Sequence, residues 1–255
     1  MAFSFDDRFL IAYLLVMARA VAWLMVVPPF SNRQNIPPMV TIAIASGLGF
    51  LIAPTLPPSQ LPGSTAALIG ALVVNVLTGL AIGFVVFLLI SAVTTAGSLL
   101  DLLGGLNLPT SIDPLSLDQI PVLGQFYEQI AIVLLFVSGG YLAVVDGFVR
   151  SFHAPALSLG TLGRLDTVLV VDFATYFLSG VEIAAPLLVV LFATQIVLAL
   201  LTKAAPQVNV WILGMPLQVF LAMILVGLGI AVVPEFLGNL ITRALGDASA
   251  ILVGH

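Results

Sequence analysis

Apolar residues occur along this chain in long runs, not in alternation. The runs cover residues 9–27, 39–53, 65–100, 130–149, 168–201 and 210–233. The breaks between them are rich in proline and glycine: Pro28-Pro29, Pro37-Pro38, Pro57-Pro58 with Pro62-Gly63, and the stretch from Gly104-Gly105 to Pro121. Proline lacks the amide a helix interior needs and pushes the residue before it to extended geometry, so these points end helices. The runs are too long for strands and lack turn-punctuated alternation. The pattern predicts an all-α fold of about six apolar helical stretches.

The run lengths are abnormal for ordinary membrane spans. Residues 39–53 fall short of the roughly 20 residues that cross a bilayer. Residues 65–100 would extend about 54 Å as one helix, against a hydrocarbon core of about 30 Å. That stretch either projects beyond the bilayer, breaks into a hairpin, or is buried in a protein assembly.

Charge sharpens the picture. Residues 34–100 hold no Asp, Glu, Lys or Arg, and only 7% of all 255 residues are charged while 61% are hydrophobic. A soluble domain needs charge on its solvated faces, so the surroundings of this chain are lipid, other apolar subunits, or both. One domain spanning 1–255 is expected, because no stretch holds enough polar surface to cover a separate soluble core. The net charge of −5 comes without a basic patch, which argues against nucleic acid as a partner. Cysteine is absent, and His153 and His255 are far apart in sequence, so no metal site is expected. Asp6, Asp7 and Arg8 make the N-terminus locally acidic, so the first run is expected to be retained and not cleaved as a signal.

Few residues stand out chemically. Asn75, Gly79 and Gly83 share one helix face at four-residue spacing, which suits either ordinary close helix packing or an obligate subunit interface. Arg19 lies near the middle of the first run, where a guanidinium is costly unless paired or hydrated. It is read as a structural ion pair or carbonyl contact, with a voltage or substrate site as the alternative. Asp146, Glu182 and Lys203 raise the same question. Residues 101–128 combine four acids, no bases, a glycine pair and two prolines near Asp113 with Leu106, Leu108, Ile112, Leu115 and Leu117. Such a segment is either a surface loop with an apolar flank or a re-entrant, pore-inserted loop. Pro206, Gln207 and Asn209 form a polar turn between apolar runs, with amides suited to freed backbone groups. Asp101, Asp146 and this turn are expected, with Arg19, to be buried structural polar residues. No nucleotide, nucleophile or metal motif is present, so no enzymatic activity and no cofactor are expected.

Taken together, the order and spacing of a set of residues resemble the FliR family of export-gate subunits along nearly the whole chain. They are Arg19, Pro29-Phe30 with Arg33 and Pro37, Gly79, Gly83, Gly97, Asp101, Gly105, Asp113-Pro114 and Pro121. Asp146-Gly147 with Ser151, Ala184 with Pro186, and Pro206-Gln207-Val208-Asn209 with Gly214 and Pro216 complete the set. The chain departs from the family pattern at Asn75, where Glu is frequent, at Phe148, where His is frequent, at Gln218, where a base is frequent, and at Leu108 and Ser111, where aromatic residues are familiar.

The resemblance implies a non-enzymatic subunit of the flagellar type III protein export gate in the bacterial inner membrane, at the basal body. It implies helical hairpins assembled with FliP and FliQ subunits into a cone-like gate, with FlhB on the outside. In that picture Leu106, Leu108, Ile112, Asp113, Pro114, Leu115 and Leu117 belong to a plug loop in the pore, and unfolded export substrates pass once it opens. The alternatives are the injectisome counterpart and a small-solute or ion transporter.

Overall fold

A computed structural model describes residues 7–31, 36–57, 61–106, 121–152, 159–207, 209–231 and 233–242, with backbone alone for 7, 159–172, 210 and 211. Among them every regular element is helical. In chain order these are α1 (Asp7–Leu24), α2 (Pro38–Ile52) with a short 3-10 turn Ala53–Thr55, α3 (Thr65–Gly104), α4 (Val122–Val137), α5 (Gly140–Arg150), α6 (Leu159–Ala204) and α7 (Val210–Ile230). Residues 233–242 are also helical. Among the described residues four helices are long and apolar enough to cross a membrane, or five if α4 and α5 count as one broken span.

The third apolar run is one unbroken helix of 40 residues, about 60 Å long. The hairpin alternative for it is therefore removed. The fourth run is two helices, because Gly139 adopts a left-handed conformation (φ +74°) between α4 and α5. The fifth is longer than its apolar core suggests, with 46 residues and Pro186 inside it. Pro216 likewise lies within α7 and does not end it. Both prolines sit in helices whose remaining turns are continuous, so the lost amide is local.

The chain forms two compact units from interleaved segments. The first comprises Met1–Leu88, Gly139–Asp172 and Thr242–His255; the second comprises Leu89–Ser138 and Phe173–Ile241. In the first unit α1 buries Val16, Ala20, Trp23 and Leu24 on a three- and four-residue spacing against Ala45 and Ile52 of α2 and Ile82 and Val86 of α3. Phe148 and Phe152 close the cluster. Trp23 stacks on Phe148 with ring centroids 4.4 Å apart, and Phe152 meets Phe148 edge-on at 5.3 Å. Such pairs are worth about 0.5–1.5 kcal/mol each beyond the area they bury.

Glycine sets how closely α1 and α3 approach. A Cβ on Gly79 would run into the carbonyl oxygen of Arg19, and one on Gly83 would lie 2.9 Å from the carbonyl of Trp23. By spacing alone these glycines and Asn75 suit either ordinary close helix packing or a subunit interface. The contact they make is with α1 of the same chain. Four-residue spacing specifies a close approach without specifying which helix approaches.

In the second unit the same device recurs. Gly97 faces the backbone of Leu123 on α4, where a Cβ would come within 2.5 Å of its carbonyl, and Gly180 of α6 faces the carbonyl of Ala92 on α3. Gly229 of α7 packs beside Leu187 and the Tyr127 hydroxyl. Tyr127, Leu100 and Leu191 are fully buried among these helices.

Gly79→Leu or Gly83→Leu will push α1 off α3 and destabilise the chain by about 1–3 kcal/mol or more. The loss will be visible as lower protease resistance of the detergent-solubilised chain expressed without partners. Wild-type resistance in both variants would contradict this packing.

Candidate functional site

The first polar centre is Arg19 on α1, only 8% exposed. Its Nε–H donates to Oδ1 of Asn75 on α3 at 2.9 Å. Its Nη1 donates to the Ser151 carbonyl at 2.7 Å and to the Ser151 Oγ at 3.0 Å. Ser151 is the C-cap of α5, so the cation sits at the negative end of that helix. The guanidinium also lies 4.1 Å from the ring centre of Phe152. Among the described residues no carboxylate pairs with it. Burial of a lone cation is costly, and here an amide oxygen, a helix C-terminus and an aromatic face offset that cost. Asn75 is oriented for this by donating its own amide back to the Ala71 carbonyl, 2.8 Å.

The second centre is Asp101, which is fully buried near the end of α3. α3 ends in a Schellman geometry: Gly105 takes φ +74°, and the Leu106 N–H donates back to the Asp101 carbonyl at 3.2 Å. The Asp101 side chain points the other way along the fold. Its Oδ2 accepts the N–H of Leu123 at 2.8 Å and of Gly124 at 3.0 Å. These are the free amides of the first turn of α4, whose N-cap is Pro121 and carries no capping side chain. Asp101 therefore caps α4 from a different helix, and its negative charge meets the positive end of the α4 dipole. One residue thus holds both edges of the segment between α3 and α4: its backbone binds Leu106 and its carboxylate binds Leu123 and Gly124. Nearby, the Gln195 Nε2 of α6 donates to the Leu103 carbonyl at 3.1 Å, satisfying a last-turn acceptor of α3.

Leu106 is half-buried at the entry of that segment. Leu108, Ile112, Asp113, Pro114, Leu115 and Leu117 lie outside the described residues. Asp146 was expected to be buried. It is 57% exposed and pairs with Arg150, one turn on, at 2.7 Å. An i,i+4 pair of this kind is satisfied on the helix surface and needs no burial. Pro206, Gln207 and Asn209 were also expected to be buried, and all three are exposed. Asn209 starts α7 through its backbone carbonyl, which accepts from the Ile212 N–H at 3.1 Å, and its side chain makes no cap bond.

Sequence reasoning missed the partners of these centres. Nothing in the spacing of Phe148, Ser151 and Phe152 links them to Arg19. A signal for the Asp101 cap was present, however: a helix beginning after Pro121 with no Ser, Thr, Asp or Asn at its cap needs an acceptor from elsewhere.

These features define an all-helical, membrane-type protein in which the buried Arg19 and Asp101 hold helix ends. Residues 10–244 match the family model described as bacterial export proteins, family 1. The flagellar biosynthetic protein FliR of Escherichia coli K12 is 30% identical over 206 residues, 80% of this chain and 78% of that protein. FliR of Bacillus subtilis 168 is 27% identical over 84% of each chain. The Yop proteins translocation protein T of Yersinia pestis is 26% identical over 86% of this chain and 85% of its own. The chain belongs to the FliR family of bacterial export proteins.

Two substitutions probe these centres. Asp101→Ala leaves the Leu123 and Gly124 amides unpaired at a cost of about 1–3 kcal/mol, and amide exchange at those two positions will accelerate. Asp101→Asn keeps an acceptor oxygen and will show a smaller change. Arg19→Lys, which loses the planar fork and the Nε donor, will lower the thermal midpoint of the solubilised chain. An unchanged midpoint would remove Arg19 from its structural role.

Proposed function

We propose that the chain is a non-enzymatic subunit of the flagellar type III protein export gate, in the bacterial inner membrane at the basal body. Family membership together with the polar centres carries this reading. The long apolar helices suit burial among FliP and FliQ subunits, with FlhB on the outside, better than independent spans in lipid. Phe173–Ala204 is an example: it is strongly apolar and only 17% of its most apolar window is buried within the chain.

The segment framed by Leu106 and Leu123 acts as the plug of the pore in this reading. Support comes from its edges: the Schellman end of α3 and the carboxylate cap on α4 give it two fixed anchors on one residue. Its apolar residues would then close the channel, and export substrates would pass when it is displaced. The Yersinia relative favours a second reading, the injectisome counterpart, at lower identity than the E. coli FliR.

Deletion of residues 106–117 will raise small-molecule leak in cells that still assemble the gate. Complementation of motility in a FliR-deficient flagellated host will separate the two readings, since an injectisome subunit will not restore swimming. An unchanged permeability barrier in the deletion strain would remove the plug role.

A further inference from the structure

Between Leu178 and Val189, one exposed stripe of α6 is apolar except at Glu182. The inward face of α6 buries Tyr176, Ser179, Ile183, Ala184 and Leu191, and Gly180 presses against the Ala92 carbonyl. The stripe away from that face runs through Leu178, Glu182, Pro186 and Val189, all exposed, on three- and four-residue spacing. Glu182 is the single acid in Phe173–Ala204, and among the described residues it has no hydrogen-bond or ion-pair partner. It lies about 14 Å along the helix from Phe173, well inside the apolar span.

Pro186 adds a second acceptor at the same place. Proline has no N–H, so the helix bond from residue 186 to the carbonyl of Glu182 cannot form. Pro186 is on the same exposed stripe, one turn on. A carboxylate and a freed backbone carbonyl from one residue are therefore presented together on an apolar surface. Facing lipid, both would lack a donor, and in a bilayer every such group must be satisfied by protein or by a water-filled cavity.

We propose that this stripe of α6 is a docking face for an apolar helix of another subunit that carries one Lys or Arg at the depth of Glu182. The cation supplies several N–H donors and a positive charge, which matches the two acceptors and the negative charge. The flanking Leu178 and Val189 provide the apolar contact on either side. The inference rests on the reading of the chain as an assembly subunit, and it adds where one neighbour binds and by what chemistry.

The test is the yield of assembled complex purified from cells expressing full-length Glu182→Gln, Glu182→Leu and Glu182→Lys. Each variant chain is quantified alone in parallel. Gln keeps the shape and removes the charge, and its complex yield is expected to fall about tenfold; Lys is expected to abolish the complex. Revertants of Glu182→Lys that regain motility are expected to carry a Lys- or Arg-to-acid change in a partner helix. Wild-type complex yield from Glu182→Leu would overturn the proposal, because a lipid-facing site gains from losing its charge. Should the Leu chain fail to accumulate, Glu182→Gln decides: full yield overturns and loss supports. A wild-type chain that purifies with no partner at all defeats the assembly reading itself, whereas an intact wild-type complex with an unaffected Gln variant defeats only this docking face.

Discussion

Helix backbone in contact with helix backbone, at glycine, is the constraint from which the rest of this fold follows. Between apolar helices in apolar surroundings there is little hydrophobic drive to associate, so contact must come from close packing and a few polar bonds. Gly79 and Gly83 bring α3 against the carbonyls of α1, and Gly97 and Gly180 do the same between α3, α4 and α6. At such separations carbonyls and backbone amides lie close enough for Arg19 and Asp101 to find partners. A side chain at any of these four positions separates the helices that make those partnerships possible.

The two buried charges are handled by one physical rule applied with opposite signs. Asp101, an anion, accepts the first-turn amides of α4, and Arg19, a cation, donates to the Ser151 carbonyl just after the last turn of α5. Helix ends carry partial charge of the complementary sign, so among the described residues each ion is matched at a helix end and not by a counter-ion. α4 and α5 are consecutive in the chain, and their outer ends are the ones held. In a chain with 7% charged residues, this explains why these two are buried while Asp146 and Arg150 pair outside. It also ties the packing to the proposed function: the residue that caps α4 also accepts the closing backbone bond after α3, and the segment proposed as the plug lies between.

Much of the helical framework was legible because apolar runs and prolines are strong local signals. α1, α2 and α7 begin and end close to where those signals put them, and Gly105 ends α3 as a left-handed glycine should. The break between α4 and α5 was invisible because both sides are equally apolar and only Ser138 and Gly139 mark it. Pro186 and Pro216 were poor guides, since a proline within a long apolar helix removes one bond and leaves the neighbouring turns to hold. Among the site residues, Arg19 and Asp101 were recognisable as unusual from burial cost alone. Their partners were not, because Ser151 and Phe152 lie over 130 residues from Arg19 and no local pattern encodes that meeting. Asp146 and the Pro206–Asn209 turn misled for the opposite reason: polar residues among apolar neighbours look buried, and a surface pair or an open turn satisfies them equally well.

The central claim is that this chain exists to bury its apolar helix faces against unlike neighbours around a channel. The native mass of the complex purified in mild detergent from its own cells measures that most directly. The account predicts a single large assembly containing this chain together with different subunits. A stable, homogeneous monomer of 26.7 kDa with no companion would contradict it.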